Sequence, residues 1–328
     1  MTNSQTTGGD PNSTPTGRRR RRILYLSKHF GYPLGGVRIA HHHVAMLNRN
    51  GFDATIVLVD GKRDAFFEAD VPIDVLTPDF RLRASDIVVI PEPWGDQMKR
   101  LARFPIRRLM FCQNHFYLFH GLGPGRSFED RGVHGVFCCS EVISDYITRV
   151  FGLPEVPIVH NGIDHTLFKP GEKKRQIALM PRKMRLETNF IYETFARMHP
   201  RLADVPYVVI DGMSEDQVAE HLAESAVFLA MSRMEGFGLP PIEAMASGCI
   251  VVGFKGDGGR SFATPENGIW CPAEDWFSAA DGLARAIDLF DSGEGEAYMK
   301  AGIETAAQYT LQRMERDVVA YWDRELAQ

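Results

Sequence analysis

Two glutamates, Glu235 and Glu243, bracket the segment Gly236-Phe237-Gly238-Leu239-Pro240-Pro241-Ile242. Glycines let backbone N–H groups approach a ligand closely, and a helix start behind them carries a partial positive charge. Together they make a cradle for a phosphate-like anion. A proline pair at a helix start and Gly248 just past its end fit the asymmetry of helix termini. The residues between the glutamates are not continuous helix, so one carboxylate can approach one end of a ligand while the other holds the far end. The plainer alternative, a capping and a surface glutamate around an ordinary turn, makes no use of the glycines.

A second glycine pair, Gly35-Gly36, follows an apolar run and precedes a helical one. The placement is that of a dinucleotide-binding turn, but the G-x-G-x-x-G fingerprint is missing. His41-His42-His43 fall on the helix behind it, where three consecutive residues point in different directions and cannot all ligate one metal. Aspartates never occur two apart in the chain, so it has no D-x-D for a divalent ion.

These residues must be held by short apolar runs that alternate with helical periods. The runs predict strands at 23–27, 54–59, 87–91, 108–112, 135–139, 157–160, 176–180, 207–210, 227–231 and 250–253. Most are continuous rather than alternating, as strands of a parallel sheet covered on both faces read. Helices are predicted at 37–50, 142–151, 187–199, 214–225, 241–247 and 276–290, and residues 294–326 read as helical. The alternation restarts after the charged stretch 169–175, KPGEKKR, which reads as a linker. The fold class is therefore α/β, with two Rossmann-like doubly wound domains facing each other across a cleft. The expected boundaries are a disordered tail over 1–21, an N-terminal domain over 22–168, and a second domain over 169–310. A C-terminal helix over 311–328 completes the chain.

Of the 328 residues, 44% are hydrophobic and 24% charged, an ordinary globular composition that excludes wholesale disorder. The net charge of −5 argues against a dedicated nucleic-acid binder. Residues 1–168 carry 20 Lys and Arg against 17 Asp and Glu, residues 169–328 carry 17 against 25, and five of the positive charges form the run Arg18–Arg22. That run is read as a solvated strand entrance, with peripheral membrane contact as its alternative. No stretch approaches the roughly 20 apolar residues of a spanning helix. Five cysteines without metal-ligand spacing read as reduced thiols, and the expected location is cytoplasmic.

The string at 231–249, MSRMEGFGLPPIEAMASGC, resembles the E-x7-E motif of the retaining glycosyltransferases of family 4 (glycosyl transferases group 1), which have the GT-B fold. Residues 159–170, VHNGIDHTLFKP, look like the family's signature at the junction of its domains. Residues 140–151 resemble its Ser-plus-helix segment, and 27–51 its Gly-Gly loop and first helix. Gly258-Gly259 with Glu266-Asn267-Gly268 match its later loop, although that loop lacks the acidic residue often found soon after the glycines. The resemblance covers roughly residues 23–290 and is far stronger in the second half.

The resemblance implies a metal-independent, retaining hexosyltransferase without a cofactor. Its donor is a nucleotide-diphosphate sugar, and its acceptor a saccharide, lipid-linked or other hydroxyl. By the same resemblance Glu235 stabilises charge at the anomeric carbon, Glu243 takes the ribose hydroxyls, and the amides from Phe237 to Leu239 meet the sugar and diphosphate. Arg182 and Lys183 grip the diphosphate, with Arg185 the other candidate for the family's lysine. Gly35 and Gly36 close over the phosphates, and His115 lies near the donor sugar. A nucleotide-sugar epimerase or hydrolase on a similar scaffold, or a non-catalytic nucleotide-sugar or glycan binder, are the alternatives.

Overall fold

The computed structural model describes residues 21–31, 34–62, 71–181 and 184–327. In its first half, continuous apolar runs form β1 (Arg22–Ser27), β2 (Asp53–Leu58), β3 (Ile73–Val75), β4 (Ile87–Pro91), β5 (Arg107–Cys112) and β6 (Gly135–Cys138). They make a six-stranded parallel sheet in the order β3-β2-β1-β4-β5-β6. Helices α1 (Gly35–Arg49), α2 (Gly95–Leu101), α3 (Leu118–Leu122) and α4 (Glu141–Phe151) connect or cover the strands. The start of α4 is set by Ser140, whose hydroxyl accepts the Ile143 N–H, and its end by Gly152 in the left-handed conformation.

The second half repeats the plan with β7 (Lys174–Leu179), α5 (Arg185–Met198), β8 (Tyr207–Val209), α6 (Glu215–Glu224), β9 (Ser225–Ser232), α7 (Leu239–Ala246), β10 (Ile250–Lys255) and β11 (Ile269–Trp270). These strands form a parallel sheet ordered β11-β10-β9-β7-β8. Helix α8 (Trp276–Ser292) packs on it, and α9 (Glu296–Ala306) packs on α7. Helix α10 (Leu311–Ala327) returns to the first sheet, where buried Trp322 donates its indole N–H to Tyr25 of β1 at 3.1 Å. The chain is thus α/β with two parallel-sheet domains.

Several expectations are corrected in detail. Residues 157–160 do not form a strand; Ile158 makes only an isolated bridge to Cys138. The helical stretch 294–326 is split into α9 and α10, because Thr310 turns aside to bridge Ile163. Of the terminal run, Arg18 to Arg20 and the rest of 1–20 lie outside the described residues. Arg22 opens β1, and its guanidinium pairs with fully buried Asp86 at 2.7 Å. Among the described residues no helix is long and apolar enough to cross a membrane.

Candidate active site

A cavity of about 530 Å³ lies between the carboxyl ends of the two sheets. From the first domain it is lined by Ser27 of β1, Glu92 and Trp94 behind β4, and Gln113 and Asn114 behind β5. From the second it is lined by Met180 behind β7, Ser232 of β9, Glu235, Phe237 to Pro241, and Glu243. Both sheets reverse their strand order here, between β1 and β4 and between β7 and β9. At such switch points two neighbouring loops leave in opposite directions and open a crevice, which is where ligands bind in doubly wound sheets.

The two glycine loops meet across this cavity. Gln113 Nε2 donates to the Gly36 carbonyl at 3.0 Å. A Cβ on Gly35 would stand 2.9 Å from Leu239 Cδ1, so the missing side chain lets the first loop lie against the second. Gly236 is held more tightly still: a Cβ there would come 2.4 Å from the Gln113 carbonyl oxygen and 2.7 Å from Ile143 Cδ1. Its own carbonyl accepts the Ser140 hydroxyl at 2.7 Å, and Asn114 Nδ2 donates to the Met234 carbonyl at 2.9 Å. Gly238 has φ of 101°, a conformation open to glycine, and hands the chain into α7. Phe237 is buried, edge-on to Tyr309 at 5.1 Å, so its backbone and not its ring serves the cavity edge. The later glycine loop braces the arrangement, with Gly258 donating its N–H to the Glu235 carbonyl at 2.9 Å.

Glu235 is half-buried and Glu243 buried, and both line the cavity. The spacing of the two glutamates thus places both carboxylates in one hollow. Glu243 already has a cation that the sequence did not disclose. Arg38 of α1 donates one Nη to Glu243 Oε1 and the other to Glu215 Oε1 at 2.6 Å. Burial by itself disfavours the Arg38 charge, but the two carboxylates outweigh it and hold the guanidinium above its ordinary pKa. Glu215, also desolvated, is raised despite Arg38. Among the described residues Glu243 Oε2 has no hydrogen-bond partner.

His115 takes a different place. Buried at 2% exposure, it does not line the cavity; its Nε2 lies 3.0 Å from Asp257 Oδ2 and its ring rests on Tyr146. Burial lowers its pKa, and Asp257 offsets only part of that, so His115 ties the first domain to the Gly258 loop as a neutral imidazole. Asp257 is also the acid of that loop, standing one position ahead of the glycines instead of after them. Arg182 and Lys183 lie outside the described residues, between Pro181 and Met184. Arg185, the other candidate, pairs with Asp211 on the surface.

Sequence reasoning missed Glu92. It is 5% exposed at the end of β4 and accepts the Gln113 N–H at 3.3 Å. Burial pushes its pKa up to about 7, against backbone N–H groups that pull it down. The only signal in the sequence was an acid directly after a continuous apolar strand, in VVIPEPW.

The crevice thus lies between two facing α/β domains and is walled by a glycine-rich loop and paired glutamates. Residues 207–301 match the family model described as "Glycosyl transferases group 1". The chain is a glycosyltransferase with the GT-B fold. It is 26% identical over 296 residues to an alpha-1,6-glucosyltransferase of Actinobacillus pleuropneumoniae, covering 87% of this chain and 89% of that protein. Among solved structures, Anabaena HepE in complex with UDP and glucose superimposes with a TM-score of 0.72 at 14% identity, over 93% of this chain and 100% of that one. Sucrose-phosphate synthase from Thermosynechococcus elongatus gives 0.69 at 14% identity, over 94% and 100%.

Proposed function

We propose that this chain is a retaining, metal-independent hexosyltransferase of family 4 that moves a glucosyl unit from UDP-glucose to an acceptor hydroxyl. The observation that carries the reading is the convergence of Glu235, Glu243 and the Gly236–Leu239 backbone on one cavity that both sheets open into. The name of the Actinobacillus relative favours an α-linked glucosyl product, and the ligands of HepE favour UDP as the nucleotide.

In this reading Glu243 Oε2 takes ribose hydroxyls while Arg38 holds Oε1. The amides behind Gly236 receive the diphosphate, with Arg182 and Lys183 supplying positive charge and Gly35-Gly36 covering it. As the anomeric C–O bond to phosphate breaks, negative charge rises on the departing oxygen and positive charge on the sugar. Arg182 stabilises the first and Glu235 the second. The acceptor oxygen bonds to the anomeric carbon on the face the phosphate leaves, and its proton passes to the departing phosphate oxygen. The lack of D-x-D supports charge neutralisation by side chains and amides without a metal ion.

The test is incubation of the purified chain with UDP-glucose and a panel of glucosides, with and without EDTA, and NMR of the product. An α-linked product unaffected by EDTA is expected. Glu235→Ala should lower turnover about 10²–10³-fold, the usual effect of losing one such electrostatic contact. A β-linked product overturns retention, EDTA sensitivity overturns metal independence, and wild-type turnover by Glu235→Ala overturns the role of that carboxylate. Release of free glucose without any acceptor product would make the chain a hydrolase.

A further inference from the structure

The first-domain wall of the cavity carries chemistry that the donor reading leaves unused. Behind β4 the chain runs Glu92-Pro93-Trp94, and all three residues line the hollow. Trp94, Phe30 and Tyr117 are each partly exposed and line the same hollow as buried Glu92. Lys28 Nζ sits 4.8 Å from the Phe30 ring centre and 5.7 Å from that of Trp94, which holds the two rings about one cation.

Glu92 is costly where it stands. A carboxylate removed from water loses hydration that neutral neighbours cannot replace. The groups packed around it include Cys112 at the end of β5 and Cys139 just past β6, both buried thiols driven far above their ordinary pKa by burial, and thus uncharged. Among the described residues no cation compensates it; its own shift arises from burial and backbone N–H groups. If Glu92 only tied β4 to β5, an uncharged acceptor would hold the Gln113 N–H without that cost. The close approach of Gly121, where a Cβ would fall 1.9 Å from the Glu92 carbonyl oxygen, fixes the backbone of this residue against α3.

We infer that Glu92 and Trp94 form an acceptor subsite for a saccharide, with Glu92 hydrogen-bonded to an acceptor hydroxyl and the sugar ring lying on Trp94. The inference rests on the donor reading only in placing the nucleotide at the opposite wall. A carbohydrate presents O–H donors at its rim and C–H groups on its faces, which is what a buried acid beside aromatic rings accepts. Near neutrality Glu92 can serve as an acceptor or a donor, so it fits either lone pairs or protons of a sugar hydroxyl. A lipid or peptide hydroxyl without a ring would leave Trp94 unused.

The experiment uses the full chain and two variants, Glu92→Gln and Trp94→Leu. Saturation-transfer NMR with methyl glucosides and maltose, in the absence of donor, reads the saccharide. Calorimetry with UDP reads the opposite wall. Wild type should show saccharide contacts, and each variant should lose them while UDP affinity stays within about two-fold. In transfer assays the KM for the acceptor should rise on the order of 10–100-fold, the scale of losing a hydrogen bond to a charged group, with a smaller change in kcat. The acceptor KM of wild type should also change near pH 7, an inflection that Glu92→Gln removes. UDP binding without saccharide contacts in wild type overturns this subsite and leaves the donor reading standing. Saccharide contacts without UDP or UDP-glucose binding overturn the UDP reading alone. Unchanged acceptor KM in both folded variants, or UDP binding weakened in parallel with the saccharide, overturns the assignment of Glu92 and Trp94.

Discussion

Arg38 and Glu243 stand 205 residues apart in the chain and meet across the cleft, each more than nine-tenths buried or nearly so, with the guanidinium of one domain on the carboxylate of the other. Glu215 shares the same arginine at 2.6 Å. Two carboxylates thus share one cation at this point of the cleft. The contact joins the two domains at the glutamate proposed to take the ribose hydroxyls.

Removing Arg38 should damage both. Arg38→Ala strands Glu243 in a buried position without its cation, and breaking a buried pair from one side costs about 3–5 kcal/mol. We expect a lower melting temperature and UDP binding at least ten-fold weaker by calorimetry. Arg38→Lys keeps the charge but not the fork that reaches two carboxylates, and should fall between. Wild-type UDP affinity in Arg38→Ala would remove the coupling.

The loop at Gly236 is set by close approach. Gly236→Ala places a methyl 2.4 Å from the Gln113 carbonyl oxygen, and backbone cannot yield as a flexible side chain does. The two domains must part there, so turnover should drop about 10²-fold, the scale of a small misplacement of catalytic groups. Ser140→Ala loses both the bond to the Gly236 carbonyl and the cap of α4, and should cost about 1–2 kcal/mol in urea denaturation. Kinetics and denaturation on the two variants separate geometry from stability; unaltered kcat in Gly236→Ala would contradict this account.

Much of this was legible in sequence because buried parallel strands announce themselves as unbroken apolar runs. Strands β1, β4 and β9 were placed within two residues by that signal alone. Strands β3 and β11, of three and two residues, carry too little side chain to give a period, and short α2 and α3 were missed likewise. At the site, the E-x7-E segment was readable because its glycines, prolines and glutamates are local. Arg38 and Glu215 were not, since a pairing across 205 residues leaves no local trace beyond a glutamate set in the apolar run PPIEAMA. The partner of His115, Asp257, was equally hidden, since it lies 142 residues further along the chain.

A second junction predicts the response to pH. His160 bonds Asp317 of α10 at 2.6 Å and Glu141 of α4 at 2.8 Å. These two bonds, against burial and nearby Arg313, push its pKa up to about 9. A raised pKa contributes stability that is complete below the unfolded value of about 6.5 and is lost as pH rises through about 9. Both acids are held below the carboxylate range, Glu141 mainly by His160 and Asp317 by His160 against its own burial. Their contribution is present above about pH 4 and lost as pH falls through their lowered values. Asp317→Asn should therefore advance the alkaline loss, so the melting-temperature difference from wild type shrinks between about pH 7 and 10. Parallel profiles over that range would count against the clasp.

The terminal helix is the last element whose removal can be priced in structure. Trp322 of α10 is fully buried, donates to Tyr25 of β1 at 3.1 Å, and lies beside Tyr321, which stacks on Phe137 of β6 at 4.4 Å. Tyr25 in turn lies 3.3 Å from His43 Nδ1 on α1; burial drives the His43 pKa down to about 3, so the ring is neutral. Because Tyr25 also lines the cavity, the helix that ends the chain supports a wall of the site. Trp322→Ala empties the largest buried side chain and should destabilise by about 3–5 kcal/mol, whereas Trp322→Phe keeps most of the bulk, loses the N–H donor, and should cost about 1–2 kcal/mol. Urea denaturation of both variants reads the difference. A midpoint for Trp322→Ala equal to that of Trp322→Phe would mean the helix docks through its flanking pairs, Arg49–Glu315 and Arg107–Glu325, and not through this core contact.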